Sequence, residues 1–213
     1  MDIQVWSDVI CPWCYIGKRR LENALAQWDG EATVTYRAFQ LDPSPVPHPL
    51  PIKQVMAARV GGAERAGEML AHVTALAATE GLTLDFDHAL AANTLAAHRL
   101  IAWAATQGRQ SDMVDAVQRA HFTGGADIGS LPVLARTAGS IGLNAAAALA
   151  YLESEAGTSA VATDLAEARE LNIASVPFFF IDGKYAVPGA QETTVLLSAF
   201  AEIARRGAVD VGL

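Results

Sequence analysis

The sequence predicts an α/β fold interrupted by a large all-helical insertion, and three observations predict it. Strand-like runs fall near the two ends, at residues 3–6, 33–39, 176–181 and 184–187. Between them, residues 52–170 read almost wholly as six or seven helices, rich in Ala and Leu and broken mainly at glycines. Leu41 to Pro51 carries Pro43, Pro45, Pro47, Pro49 and Pro51, an extended linker that marks the first boundary. The expected organisation is a discontinuous α/β domain, residues 1–51 and 171–213, and a helical insertion domain, residues 52–170.

Each element follows from its residues. Ile3-Gln4-Val5-Trp6 alternates apolar and polar, as a short strand does. A turn over Ser7 to Ile10 leads to Cys11-Pro12-Trp13-Cys14, where Pro12 suits the first turn of a helix. Ile16, Leu21, Leu25 and Trp28 share one face of that helix, and Gly30 is placed to end it. Thr33 to Phe39 is β-branched and aromatic and reads as strand, so the opening is β-α-β. The helical block is expected to include Ala71 to Ala78, Leu90 to Ala105 and Asn144 to Ala150. Strand character returns at Val176 to Ile181, with Phe178, Phe179 and Phe180 as core. Asp182-Gly183 is a two-residue hairpin signal before Lys184 to Val187. The last helix, about Gln191 to Arg206, has Val195, Leu196, Ala199, Phe200 and Ile203 on its apolar side.

Composition narrows the function classes. A chain of 213 residues with 52% hydrophobic and 18% charged residues is an ordinary globular protein able to bury its own core. A net charge of −8 argues against nucleic acid or an anionic membrane as partner, and Lys18-Arg19-Arg20 is too short to reverse that. No apolar run spans a bilayer. The N-terminus has neither a basic start nor an apolar core of a secretory signal, so the expected location is cytoplasmic.

The chemistry gathers on Cys11 and Cys14, the two cysteines of the chain. A helix start lowers a thiol's pKa through free backbone N–H groups and the helix dipole, which makes Cys11 a candidate nucleophile. Cys14, one turn on, can resolve a mixed disulfide. Taken alone, a C-x-x-C pair also suits a metal site or an incidental spacing, although two ligands cannot close structural zinc. Pro177 opens an apolar run. It is either an edge-strand proline or part of a cis Val176–Pro177 bond that presents the Val176 backbone to a ligand chain.

Ser7-Asp8-Val9-Ile10-Cys11-Pro12-Trp13-Cys14-Tyr15-Ile16-Gly17 resembles the DsbA-like family, in its cytoplasmic FrnE-type branch. Ser175 to Phe180 and Gly183 to Gln191 carry the same resemblance, as do Asn93-Thr94, Ala97-His98-Arg99, His121-Phe122 and Asp127-Ile128. It covers nearly the whole chain. It implies a thioredoxin fold with a helical insertion, redox activity of Cys11 and Cys14, and a cis proline at Pro177. No resident cofactor or metal is implied beyond the redox-active disulfide, with glutathione a candidate substrate or reductant. Disulfide-bearing peptides or proteins are the other candidate partners, and the chain is expected to be a monomer or homodimer.

One departure matters. Trp13 stands where periplasmic DsbA proteins usually carry histidine, and an indole cannot stabilise the thiolate as an imidazolium does. The extreme oxidising character of DsbA is therefore not carried over. Pro12, Trp13 and Val176 are expected to frame the substrate, with Trp13 exposed. Asp8 either opposes thiolate formation or is a solvated acid before the helix. Asn93 is an N-cap or a ligand contact, and His98 a satisfied core histidine or a proton shuttle. His121-Phe122 and Asp127 are placed in an interhelix loop, lining a groove or simply packing. His48, His72 and His88 lack metal spacing and read as surface.

Two other functions compete. The kappa-class glutathione transferases and 2-hydroxychromene-2-carboxylate isomerases are similar around Val176-Pro177, Asn93 and the start of the last helix. They usually keep serine at the Cys11 position and lack the Cys14 partner. Gly189-Ala190-Gln191 at a helix N-terminus would hold a glutathione carboxylate in such a reading. The third reading is a peptide-binding chaperone, whose activity would survive removal of both cysteines.

Overall fold

The computed structural model describes residues 1–46 and 49–210, so the expectations for Pro47 and His48 lie outside the described residues. In chain order the elements are β1 (Asp2–Ser7), α1 (Pro12–Leu25), β2 (Thr33–Ala38), β3 (Leu50–Pro51), α2 (Ile52–Val60), α3 (Ala63–Thr79) and β4 (Leu90–Ala91). Then follow α4 (Leu95–Ala105), α5 (Gln110–Phe122), α6 (Leu131–Ser140), α7 (Ala145–Glu153), α8 (Thr158–Glu170), β5 (Phe178–Ile181), β6 (Tyr185–Pro188) and α9 (Thr193–Asp210). The main sheet has the order β2-β1-β5-β6, with β1 parallel to β2 and antiparallel to β5.

Period-two alternation sorts the side chains of the sheet between two cores. Ile3, Val5, Phe179 and Ile181 face one way and pack into a cluster with Leu100, Val117, Leu134, Leu196 and Phe200. That cluster runs without a break from the sheet into the helices of the 52–170 block. On the opposite face Trp6 lies edge-on to Phe178 and Phe180, at 6.4 and 6.5 Å between ring centroids. There α8 covers the sheet: Trp6 Nε1 donates to the Asp164 carbonyl (3.2 Å), and Asp164 accepts from the Arg37 side chain (2.8 Å) and the Ala38 N–H (2.9 Å). The β5–β6 hairpin turns at Asp182 and Gly183, both at positive φ (52° and 63°), with the Lys184 N–H donating to the Ile181 carbonyl (3.1 Å); because Ile181 pairs with Tyr185, the loop has three residues rather than the expected two.

Four local expectations change. First, α1 ends at Leu25 rather than near Gly30, tightening through i→i−3 bonds from Gln27 to Ala24 and from Trp28 to Leu25. Trp28 folds back onto Phe200, and a Cβ at Gly30 would stand 2.6 Å from its indole nitrogen, so Gly30 makes room for a ring rather than capping a helix. Second, Leu90–Ala91 is not helical but pairs antiparallel with Leu50–Pro51. Asn93 enforces this, because its side chain accepts from the Leu95 N–H (3.0 Å), an Asx turn that delays the helix. Third, Val195 is 45% exposed; Leu196, Phe200 and Ile203 form the buried stripe of α9. Fourth, His121 and Phe122 are the last residues of α5 and wholly buried, not loop residues.

Candidate active site

Two distant segments meet at the sheet's carboxyl edge. The Cys11 N–H donates to the Asp8 carbonyl (3.1 Å), closing the turn after β1, and Cys11 caps α1 with Pro12 in its first turn. The Val176–Pro177 bond that precedes β5 is cis. The Cys11 sulfur lies 3.9 Å from the Val176 carbonyl oxygen. The Val176 N–H has no partner among the described residues, whereas the Pro177 carbonyl accepts from Gly189 (2.8 Å). Gly17 permits this meeting: a Cβ there would stand 2.7 Å from Pro177 Cγ and 3.5 Å from Ala190 Cα.

Cys11 and Cys14 are neighbouring free thiols, 5% and 2% exposed, and Cys11 lines the cavity beside it. The two sulfurs are electrostatically unequal. A hydrogen bond from the Cys14 thiol holds Cys11 below the usual thiol range against the opposing pull of burial, helped by the backbone N–H groups of Cys14 and Trp13. Burial, and then the neighbouring Cys11, push Cys14 well above it. Asp8 is 1% exposed rather than solvated, and its charge works against ionisation of both thiols.

Asp8 is fixed by its own partners. One carboxylate oxygen accepts from the Leu41 N–H (2.8 Å) and the other lies 3.3 Å from His98 Nε2. That nitrogen also donates to the Phe39 carbonyl (2.9 Å), which fixes it as N–H. His98 is thus a buried residue behind the thiols that positions Asp8 and the strand-to-linker corner. Asn93 binds Gln40, the Pro43 carbonyl (2.8 Å) and the Ser44 carbonyl (3.2 Å), clamping the 40–44 linker rather than facing Cys11.

Sequence reasoning missed the burial of Arg20 and Gln118 and placed His121 in a loop. Arg20, within an apparent surface cluster, is 5% exposed and binds Glu80 (2.6 Å), Glu192 (2.6 Å) and the Ala190 carbonyl (2.7 Å), tying α1 to α3 and to the start of α9. Gln118 and His121 share a face of α5, and neither their amide nor their ring atoms find a hydrogen-bond partner among the described residues. Burial holds the His121 ring neutral, its pKa down to about 4, with Asp8 pulling weakly the other way. Since the unfolded ring titrates near 6.5, the unfolded chain binds the extra proton between these values, and stability falls as pH falls. About 3 kcal/mol is expected to be lost from this group between pH 6.5 and 4. His121→Phe should flatten that part of the profile. Urea midpoints at pH 7, 5.5 and 4.5 for both proteins measure it, and parallel profiles would refute it.

Gly189-Ala190-Gln191 precedes α9 rather than capping it. The helix begins at Thr193, and the Glu192 carbonyl accepts its first bonds. The Gln191 side chain is spent on the Pro188 carbonyl (2.7 Å), and Glu192 beside the helix start disfavours a second carboxylate. The Glu192 carboxylate is itself paired with Arg20 (2.6 Å). His88 is exposed and paired with Asp85 (2.7 Å), while exposed His72 lies 6.4 Å from the ring of Trp13. Among the described residues no cluster of three His, Cys, Asp or Glu could hold a metal, and no helix is long and apolar enough to cross a membrane.

Beside Cys11 opens a cavity of about 510 Å³, walled by Ile10, Leu41, Val55, Met56, Val73 and Phe86 and including Pro12 and Trp13. Its size is that of a small-molecule or side-chain pocket.

The DSBA-like thioredoxin domain family matches residues 2–201. The uncharacterized protein YwbO of Bacillus subtilis is 27% identical over 208 residues, 95% of this chain and 96% of that protein. A probable DsbA oxidoreductase from Streptomyces coelicolor superposes with a TM-score of 0.88 at 33% identity, over 95% of this chain and 89% of that one. The cytosolic disulfide reductase DsbM from Pseudomonas aeruginosa, solved with GSH, shares the fold at a TM-score of 0.67 and 20% identity, over 97% and 100% of the two chains. With the β-α-β opening, the β5–β6 hairpin and the Cys11–Pro177 corner in place, the chain belongs to the DSBA-like thioredoxin family.

Proposed function

We propose that the protein is a thiol–disulfide oxidoreductase that works through the Cys11/Cys14 pair. The observation that carries this reading is the polarisation of the two thiols at the start of α1: Cys11 favoured as thiolate, Cys14 held as thiol and donating to it. In the reducing direction Cys11 attacks one sulfur of a substrate disulfide, and the other leaves as a thiolate that takes a proton. Cys14 then loses its proton and attacks the Cys11 sulfur, expelling the second substrate thiol. Two electrons pass to the substrate and the Cys11–Cys14 disulfide forms. The free Val176 N–H and its carbonyl, beside Cys11, suit the backbone of an extended peptide or of glutathione.

Cys14→Ala is expected to accumulate mixed disulfides on Cys11 under mild oxidation, because nothing resolves them, and Cys11→Ala to trap almost none. Mass spectrometry of the trapped adducts separates glutathione from protein substrates. Absence of any adduct, with wild-type protein inert towards insulin and a model dithiol, would overturn the assignment. The glutathione-dependent isomerase reading is disfavoured by the presence of both cysteines. A chaperone would retain its activity in the Cys11→Ala/Cys14→Ala protein. A cytoplasmic place of action belongs to the same proposal, supported by the cytosolic description of the Pseudomonas reductase.

A further inference from the structure

Reduction of a disulfide by Cys11 releases a thiolate that has to be protonated, and the groups packed around Cys11 do not supply that proton. Cys14 donates its hydrogen bond to Cys11 and gives up its proton only in the later, resolving step. Asp8 is a buried carboxylate, held by the Leu41 N–H and by His98. The Trp13 indole donates a hydrogen bond but does not release its proton in water. Among the described residues, the cavity that Cys11 lines has three further titratable side chains, Asp42, Arg59 and His72. Asp42 and Arg59 are paired with each other. His72, on α3, is exposed and makes no hydrogen bond or ion pair among the described residues, and its ring lies 6.4 Å from that of Trp13.

We infer that His72 is the acid that protonates the departing substrate thiolate. The inference rests on the dithiol reading above and deepens it. In thiol–disulfide exchange the attacking, attacked and departing sulfurs are nearly in line. Two successive S–S distances put the departing sulfur about 4–5 Å from the Cys11 sulfur. Cys14 and the Val176 carbonyl (3.9 Å) already border the Cys11 sulfur, so the departing sulfur points away from them, towards the cavity that His72 shares. The contact with Trp13 holds the imidazole on that side. The Cys11 sulfur bonds to the nearer substrate sulfur as the substrate S–S bond breaks. The farther sulfur leaves with the electron pair and takes a proton from the His72 imidazolium, and water returns a proton to the ring. Histidine is the side chain that can both carry and surrender a proton near neutral pH. A strongly basic alkyl thiolate gains most from this proton, whereas a weakly basic aryl thiolate departs readily without it.

The test uses fully reduced full-length protein and a pair of uncharged symmetrical disulfides under single-turnover conditions. Hydroxyethyl disulfide releases a basic alkyl thiolate, and dipyridyl disulfide releases an aryl thiolate that leaves easily. His72→Gln is expected to slow the first about 100-fold, the low end for a positioned general acid, and the second by about threefold at most. His72→Arg keeps a positive charge that it cannot release as a proton, so it should be as slow as His72→Gln with the alkyl disulfide. Because His72 acts on the departing sulfur, iodoacetamide should alkylate Cys11 at the same rate in wild type and His72→Gln. The side chain is exposed, so these variants spare the core. Equal losses with both disulfides, a full rate in His72→Gln or His72→Arg, or alkylation slowed as much as exchange would each overturn the inference and leave the dithiol reading standing. Failure of the wild-type protein to reduce either disulfide would remove both.

Discussion

Gly17→Ala is expected to slow disulfide exchange about 100-fold, the scale set when reacting groups are displaced by roughly 1 Å. Gly17 faces the Pro177 ring, and an added methyl would meet Pro177 Cγ at 2.7 Å, closer than packed carbons tolerate. Either α1 or the Val176–Pro177 corner must retreat, and the Cys11 sulfur loses its place beside the Val176 backbone. Overpacking of this kind also costs about 1–3 kcal/mol of stability. Gly67→Ala on α3 is the control, since nothing lies within 4 Å of a Cβ there and a helical alanine should be neutral or stabilising. Rates with glutathione disulfide and urea titrations of the two variants measure both effects. Equal rates for Gly17→Ala and wild type would show that the contact relaxes without moving the site.

Arg20→Met carries the largest expected loss of stability, about 3–5 kcal/mol, the range for removing one partner of a buried ion pair. The methionine fills the arginine's stem volume but leaves Glu80, 13% exposed in its side chain, uncompensated and frees the Ala190 carbonyl. Because the stranded carboxylate dominates the cost, Arg20→Met/Glu80→Gln should recover a substantial part of it. Urea denaturation of the three proteins decides the matter, and additive losses would contradict the buried-pair account.

The elements legible in the sequence were those whose signal is local. β-branched alternation gave β1 and β2, the Asp182-Gly183 pair gave the hairpin, and Pro12 beside Cys11 gave the start of α1. The nearness of residues around 11 and 177 followed from the order of elements around the helical block. What escaped has its cause in tertiary structure. The two-residue pairing of Leu50–Pro51 with Leu90–Ala91 is too short to leave a periodic trace, and the Asx turn of Asn93 resembles a helix cap in sequence. Arg20 sits in the Lys18-Arg19-Arg20 run, which reads as a surface cluster, and the approach of Glu80 and Glu192 from distant segments helps to bury it. The cavity combines α2, α3 and the proline-rich linker, none of which carries a motif of its own.

The corner that joins Cys11 to Val176 also sets an order of events during synthesis, since 165 residues separate its two halves. At ordinary ribosomal speeds of 5–20 residues per second, roughly ten to thirty seconds pass after Cys11 is made before Val176 is added. Through that interval the nascent chain carries its two thiols without the strand that later covers them. Premature capture by cellular disulfides, or by a neighbouring nascent chain, is open until β5 and β6 have been made and have left the ribosome. A pulse of alkylating reagent on ribosome-bound chains of increasing length would show Cys14 becoming protected only after β5 and β6 have emerged.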